Sequence, residues 1–471
     1  MKTYQDWLKV ADKSEQDRMD FVRVAIGDFK SSDRYKNAMY GEDYYSGRNT
    51  TIRRYEKMLI NARGQAVQDV FSANHKLASR FFYRSVKQAN SVLLGNGCKW
   101  KDGIGGEALG DDFDNRLMEA GRNAQVGGVA YGFYNNERVM IFKAQEFVPM
   151  IDEEDGAIKA GFRFWQIDPQ KPMRATVYEL DGYTEYIFSK DHPDGDILYE
   201  KRPYIVIKKE SVADGEEIYD FMNYPTFPIV PLYANDMKES ELLAIRPTID
   251  AYDLINSAYA SDVDDASMVY WVITNGGGMT DSDLVQFLDK MRKMHAAQLD
   301  DDQQVTPHTM DVPVQSREAI LDRLEKQLYK DAMALNTYDL ASGAVTATQI
   351  EAAYEPLNEK LDAFESMITE FVQGLLAVAG VEDEATYDRS IVINKAEEVD
   401  TVIQSANYLD DEYITQKIMT ILGDKDQIDE VLASMQEENL DRFTGGEEEE
   451  ESDLTTSLLD QIEGLLDEEE E

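Results

Sequence analysis

SELLAIRPTIDAYDLINSAYASDVDD, residues 240–265, is the stretch of this sequence that does most to decide the fold. Ser240 is a favourable N-cap residue, and the apolar residues after it recur every three or four positions. They are Leu242, Ile245, Ile249, Tyr252, Ile255, Tyr259 and Val263. The spacing predicts a long helix to about Ser267 that packs one apolar stripe against the rest of the protein.

A second helix is predicted further along, at residues 316–335. Between the two helices, residues 269–278 are predicted as a strand that closes on a glycine turn, and residues 304–315 alternate as a strand does. The stretch DLVQFLDKMRKM has the spacing of a short helix. Two helices that flank a small β-containing excursion predict a hairpin-like projection. Such a projection needs neighbours to bury its apolar stripe.

A soft, nearly uncharged segment, residues 336–349, leads from the second helix into a third. The third helix has apolar residues spaced alternately four and three apart: Ile350, Tyr354, Leu357, Leu361, Phe364, Ile368, Phe371 and Leu375. This 3.5-residue seam predicts lengthwise packing against neighbours. Pro356 lies inside the seam and predicts a kink, because proline removes one backbone hydrogen bond and clashes with the preceding turn.

The rest of the chain predicts a mixed α+β fold that is mainly helical. Residues 1–36, 71–94 and 111–127 have helical spacing, and 38–56 is predicted as a loop leading into a short helix. From about 128 to 234, alternating segments separated by Asn-Asn, Asp-Gly and Pro-Asp-Gly turns predict an antiparallel β region.

Charge is distributed unevenly along the 471 residues. The net charge is −45, yet residues 1–100 carry 18 Lys and Arg against 11 Asp and Glu. Residues 445–471 carry 13 acidic and no basic residues and are expected to form a disordered tail. The acidity weighs against tight wrapping of nucleic acid, although it allows a surface past which DNA slides.

The sequence offers little catalytic chemistry. It lacks a GxxxxGK[ST] phosphate loop, and the Gly-rich stretch 102–110 has the wrong spacing for a dinucleotide loop. His75 with Cys98 is a conceivable base–nucleophile pair, but a surface histidine and a small buried thiol are the simpler interpretation. Acidic clusters at 262–265 and 300–302 lack the spacing of a calcium loop and are read as solvated faces. No catalytic residue, metal or cofactor is predicted, and no apolar run is long enough to span a membrane.

Three ordered motifs resemble those of a known family. They are YYSG followed by SRFFYRSVKQANSVLLGNGCKW (79–100), the stretch 240–265, and the Ser-Gly segment that leads into a long helix (339–372). In this order they resemble the portal proteins of tailed bacteriophages, in the siphophage-type branch. The sequence departs from the family pattern in two places, with Asn96-Gly97 after Gly95, and with Asp253 where asparagine is frequent.

The resemblance implies a ring oligomer, usually dodecameric, at one capsid vertex of a virion, with subunits made in the host cytoplasm. It implies a wing (1–239, with the long helix 350–380), stem helices (240–268 and 316–335), a clip (269–315), a tunnel loop (336–349) and a crown (381–444). The implied partners are double-stranded DNA in the channel, the terminase motor, a head-completion adaptor, and the major capsid and scaffold proteins. The implied function is packaging, retention and ejection of the genome and head–tail joining.

Candidate contact residues follow from these regions. The DNA-facing loop comprises Thr337, Tyr338, Asp339, Leu340, Ala341, Ser342, Gly343, Ala344, Val345, Thr346, Ala347 and Thr348. Candidate basic residues of the channel are Arg323, Lys326 and Lys330, whose alternative role is an exposed face neutralised by Glu318, Asp322 and Glu325. Candidate clip contacts are Tyr270, Trp271, Arg292 and Lys293, whose alternatives are subunit packing for the aromatic pair and an ordinary surface for the basic pair.

Two other functions remain open at this level. One is a different structural component of the virion, such as a collar or minor capsid protein with similar helical packing. The other is a hydrolase or transferase whose site has no recognisable motif.

Overall fold

The computed structural model describes residues 2–61, 63–70, 72–209, 218–266, 270–274, 280–294, 304–308, 313–338 and 347–389, with short pieces at 399, 402–404, 410–422, 428 and 431–432. The described residues fall into two compact units. The larger comprises those up to 338 together with 352–389, and the smaller those of 347–351 and those after 392. The predicted acidic tail and most of the predicted crown lie outside the described residues.

Helices and strands alternate in a mixed fold, which agrees with the α+β prediction. The helices are α1 Tyr4–Ala11, α2 Glu15–Ser31, α3 Asp33–Tyr45, α4 Thr50–Arg54, α5 Phe81–Leu94, α6 Ile104–Leu109, α7 Phe113–Gly127, α8 Leu242–Ala266, α9 Asp281–Met294, α10 Val314–Asp331, α11 Ala347–Ala379 and α12 Asp411–Leu422. The strands are β1 Met58–Ile60, β2 Ala66–Gln68, β3 Cys98–Trp100, β4 Val129–Tyr134, β5 Val139–Lys143, β6 Phe147–Ile151, β7 Ile158–Trp165, β8 Met173–Glu179, β9 Gly182–Phe188, β10 Asp196–Arg202, β11 Ile205–Lys209, β12 Ile218–Met222, β13 Ile229–Tyr233, β14 Tyr270–Thr274, β15 Gln304–His308 and β16 Ala385–Tyr387.

The predicted β region forms a five-stranded antiparallel sheet, β10-β9-β8-β7-β6, and a three-stranded sheet, β13-β4-β5. The remaining strands of the described part pair two by two, with β16 joining β3 from far along the chain. The predicted turns are present. Asn136 and Gly195 have positive φ angles, 70° and 93°, and asparagine and glycine are the residue types that tolerate such angles in turns.

Helices α1 and α2 cover the five-stranded sheet. Thr3 and Ser14 cap their N-termini, and Trp7, Val22 and Phe29 pack with Phe162 in one buried cluster. A polar contact fixes the docking, because the buried guanidinium of Arg18 pairs with Glu179 on β8 at 2.8 Å. The indole Nε1 of Trp7 donates to the same carboxylate at 3.1 Å.

The C-terminal part of helix α11 packs against the three-stranded sheet, where Phe371 and Leu375 lie beside Gly132. The predicted seam residues from Tyr354 to Leu375 are all buried, which confirms the 3.5-residue pattern over that range. Gly132 on β4 faces the ring of Phe371 so closely that a Cβ there would lie 2.6 Å from it. Pro356 lies within the helix.

Two predicted boundaries are wrong. Residues 38–45, predicted as a loop, form the second half of α3, which is buried at Ala38, Gly41 and Tyr44. The helix predicted to begin at Phe71 begins at Phe81, and residues 73–79 have no regular secondary structure. Local apolar spacing cannot show that the amides of this segment are hydrogen-bonded elsewhere.

The docking of α1 and α2 gives a stability prediction. Glu179→Gln leaves the buried Arg18 with only the more distant carboxylate of Glu15, at 3.8 Å, as a counter-charge, and also removes the partner of Lys201. The free energy of unfolding should therefore fall by about 3 kcal/mol. Denaturant unfolding of the purified protein measures this. Asp194→Asn is the control, because its ion pair with Arg23 is exposed and should contribute only about 0.5 kcal/mol. Equal effects of the two variants would contradict the buried role of Glu179.

Candidate functional site

Helices α8 and α10 form an antiparallel pair with a small β-containing excursion between them. At one end Leu328 of α10, with Ala332 directly after the helix, shares a buried cluster with Ile245 and Ile249 of α8. At the other end Arg317 of α10 forms an ion pair with Asp262 of α8. Strands β14 and β15 pair antiparallel, from Tyr270 opposite His308 to Thr274 opposite Gln304, and α9 lies between them in sequence. The arrangement matches the hairpin-like projection predicted from the sequence.

A line of polar side chains on α8 holds the extended segment 73–79. The amide N–H groups of Ala73, His75, Leu77 and Ser79 donate to Asp265, Ser261, Ser257 and Asp253 respectively, at 2.9 to 3.0 Å. The two periods agree, because four helical residues rise about 6.0 Å and two extended residues advance about 6.6 Å. We call these four α8 side chains the polar ladder.

The polar ladder corrects the predicted apolar stripe. Leu242, Ile245 and Ile249 are buried as predicted, but Val263 is 51% exposed. After Ile249 in the sequence, the buried residues of α8 are those of the polar ladder, at every fourth position from Asp253 to Asp265. The helix therefore buries an apolar face in its first half and a hydrogen-bonding face in its second half.

Asp253 is the most enclosed member of the polar ladder. Its side chain is fully buried, and burial raises the pKa of the carboxyl group. Besides the amide of Ser79, it accepts a hydrogen bond from the side-chain amide of Asn49 at 2.8 Å. Asn49 in turn caps α4 by accepting from the amides of Thr51 and Ile52. Asp253 thereby joins α4, the extended segment and α8.

The acidic cluster 262–265 is not simply a solvated face. Asp265 is buried, and the N–H of Ala73 lowers the pKa of its carboxyl group, which also pairs with Lys57 at 3.2 Å. Asp264 lies 3.3 Å from the ring of His75, and Asp262 pairs with Arg317. In the part of the chain that the structure describes, no group of three His, Cys, Asp or Glu side chains is arranged to hold a metal ion. The other cluster, 300–302, lies outside that part.

The remaining catalytic candidates have structural partners. The ring of His75 contacts Asp264, whereas burial, with Asp114 nearby, raises the pKa of the Cys98 thiol. The carboxylate of Asp383 accepts hydrogen bonds from the amides of Asp102 and Gly105 at the start of α6. The carboxylate of Asp383 therefore occupies the N-terminus of α6, which lies in the Gly-rich stretch 102–110.

Arg323, Lys326 and Lys330 lie together on the exposed side of α10, opposite the buried Leu328. Among the described residues, none of these three cations forms an ion pair with Glu318, Asp322 or Glu325. We call them the α10 basic face.

The other predicted contact residues are described only in part. Tyr270 and Trp271 lie in β14, and Arg292 and Lys293 in α9, but their side chains lie outside the described residues. Of the predicted loop, Thr337 and Tyr338 are exposed. Residues 339–346 lie outside the described part, and Ala347 and Thr348 begin α11.

Comparison with known proteins adds the family. The model of the family described as phage portal protein, SPP1 Gp6-like, matches residues 30–440. This chain belongs to that family. The resemblance seen in the three sequence motifs is thus confirmed.

Relatives of this portal-family chain are distant in sequence. The portal protein of Clostridium phage phiCD119 is 21% identical over 257 residues, which cover 49% of this chain and 56% of that protein. The portal protein of Bacillus phage SPP1 is 23% identical over 355 residues, 70% of this chain and 66% of that protein. The matches therefore span less than two thirds of either relative. A chain from the neck of a native gene transfer agent particle computed with C12 symmetry aligns with TM-score 0.44 and 13% identity, over 73% of this chain and 89% of that one.

Among the residues that the structure describes, none of the helices combines the length and the apolar character that a membrane span requires.

The polar ladder was not predicted from the sequence, although a signal for it exists there. After Ile249 the residues at every fourth position are Asp, Ser, Ser and Asp, so a polar line continues the direction of the apolar one.

The polar ladder gives the second prediction. Ser257→Ala leaves the amide of Leu77 without its acceptor. The free energy of opening the segment 73–79 should therefore fall by about 2 kcal/mol. Hydrogen exchange at Leu77 measures the opening. Val263→Ala is the control, because that side chain is exposed despite its place in the predicted apolar stripe. Faster exchange in the control than in Ser257→Ala would refute the role of the polar ladder.

Proposed function

We propose that this chain is the subunit of a portal ring, a channel at one capsid vertex through which double-stranded DNA enters and leaves. The observation that carries the proposal is the family match over residues 30–440, together with the α8–α10 hairpin inside that range. The family is a structural one, and the contacts of His75, Cys98 and Asp383 supply no catalytic arrangement among the described residues.

We assign the regions of the subunit as the resemblance implies. Helices α8 and α10 are the stem, and β14, α9 and β15 are the clip that meets the terminase motor during packaging and the head-completion adaptor afterwards. The helical and β parts up to 239, with α11, are the wing, which meets the capsid and scaffold proteins, and 381–444 is the crown. Support comes from the hairpin itself, which carries a paired β excursion at the end marked by the ion pair of Arg317 and Asp262.

The channel wall is assigned to the α10 basic face and to the loop 336–349. The face is supported by exposure and by the lack of ion pairs to Glu318, Asp322 and Glu325 within the described residues. The loop is supported by its sequence. It has one charge, Asp339, so it can touch phosphates without the lysine or arginine pairing that holds DNA in place. Gly343 has no Cβ, and glycine is the residue type that adopts backbone conformations that other residues resist.

Electron microscopy of the purified chain tests the proposal. We expect closed rings with a central hole wide enough for a DNA duplex, and in assembled particles a single ring at the packaging vertex. A ring located elsewhere in the virion would favour a collar or minor capsid protein. A monomer under every condition, including capsid assembly, would refute the portal function.

Genome content of particles assembled with variant subunits tests the channel wall. Arg323→Glu/Lys326→Glu/Lys330→Glu should repel DNA phosphates and lower the packaged DNA at least tenfold, and Gly343→Pro should lower it by stiffening the loop. Rings should still form in both cases. Arg323→Lys is the control, because it keeps the charge of the α10 basic face. Full packaging by both test variants would show that neither element faces DNA.

A further inference from the structure

One surface of the larger unit is basic in a protein that is otherwise strongly acidic. Residues 70–101 include six Lys and Arg and no Asp or Glu. Lys99 and Lys101 pair with acids near β16, at Asp388 and Glu384. The other four cations of this stretch are exposed.

These four cations join two more from α4. Arg80, directly before α5, is followed at helical spacing by Arg84 and Lys87 on α5. Lys76 donates to the backbone carbonyl of Arg53 at 2.8 Å. That contact brings the C-terminal end of α4 beside the extended segment. The α4–α5 basic face therefore consists of Arg53, Arg54, Lys76, Arg80, Arg84 and Lys87, all exposed. Within the described residues none of the six forms an ion pair.

Helix α11 presents the opposite charge. Six acidic residues and one basic residue lie between Ala347 and Ala379. The one cation, Lys360, points inward, where its Nζ pairs with Glu241 at 2.8 Å and donates to the carbonyl of Ala332 at 3.2 Å.

The acids of α11 opposite the buried seam form a line along the helix. The α11 acidic stripe consists of Glu355, Glu359, Asp362 and Glu370, all exposed. Arg389 pairs with Asp362, and no ion pair is formed by the other three within the described residues.

Two unlike, complementary surfaces on one chain are what a ring requires. In a ring of three or more subunits the interface is heterologous, so one patch of a subunit meets a different patch of its neighbour. Copies that each carry a net charge of −45 repel one another, so their contact needs a local region of opposite sign. We propose that the α4–α5 basic face of one subunit docks on the α11 acidic stripe of the next. This inference rests on the proposed ring function.

Exposed apolar groups favour a protein rather than DNA as the occupant of the basic face. Tyr55 adjoins Arg54 and is 45% exposed, and Leu77 adjoins Lys76 and is 41% exposed. Aromatic and arginine side chains are enriched in protein interfaces. A face that only tracked phosphates would not need the apolar groups.

Charge reversal in the full-length chain tests the docking. Arg80→Glu/Arg84→Glu/Lys87→Glu should lower the ring fraction, measured by sedimentation velocity at fixed protein concentration, at least tenfold. Glu355→Lys/Glu359→Lys/Glu370→Lys should do the same. The two sets combined should restore the ring fraction to within twofold of wild type, because the attraction is rebuilt with the signs exchanged.

A matched control separates the docking from net charge. Lys13→Glu/Arg138→Glu/Lys190→Glu makes the same charge change at exposed cations away from both surfaces and should leave the rings intact. Circular dichroism of each variant reports whether the subunit is folded.

Each other outcome has a definite meaning. Intact rings in both test variants, or ring loss that the combined variant does not reverse, would overturn the docking while the portal function stands. Intact rings with weakened binding of a short DNA duplex by the basic-face variant would assign that face to nucleic acid and overturn the docking. Absence of rings in the wild type under every condition would overturn the portal function and the docking with it.

Discussion

The structure depends on a row of hydrogen bonds between the backbone of an extended segment and the side chains of one helix. A buried amide without an acceptor costs free energy, so a strand-like segment beside a helix is stable only if the helix supplies acceptors. Helix α8 supplies them every fourth residue, which matches every second residue of the segment. This agreement of two backbone periods lets an extended chain lie along a helix without a sheet.

The hydrogen bonds between the segment 73–79 and the polar ladder also position neighbouring elements. Because residues 73–79 are held along α8, α5 begins where the ring of Phe81 packs edge-to-face with that of Tyr329 of α10, at 5.0 Å between centroids. Asn49 links α4 to Asp253, and the hydroxyl of Tyr44 on α3 donates to Asp250 of α8 at 2.5 Å. Polar contacts thus tie α4 and the segment 73–79 to α8, whereas Tyr44 of α3 also packs in the buried cluster with Ile245 and Ile249. The α10 basic face is exposed because α10 packs against α8 with its opposite side, which carries the buried Leu328.

The distribution of charge over the surface is the second feature that distinguishes this protein. The chain carries excess negative charge, yet two faces of its described part each hold several exposed cations without an ion pair there, one face on α10 and one on α4 and α5. For a conduit, a weakly basic wall in an acidic protein allows contact with DNA without strong retention. For a ring, a basic face opposite an acidic stripe gives subunits a preferred direction of association. Both proposed roles are argued from where the cations lie, and the net charge alone would suggest neither.

Sequence by itself determined the elements whose signals are local. The seam of α11, the strands and turns of the β region, the paired helices around a β excursion, and the family all follow from spacing and order within short stretches. Tertiary structure decided which face of α8 is buried after Ile249. It also decided that residues 73–79 are extended along α8 and not helical. The reason is physical: the acceptors in α8 and their donors lie 174 to 192 residues apart in the chain. A periodicity argument that assigns burial to apolar residues cannot foresee that Asp253, Ser257, Ser261 and Asp265 are buried to satisfy a distant backbone.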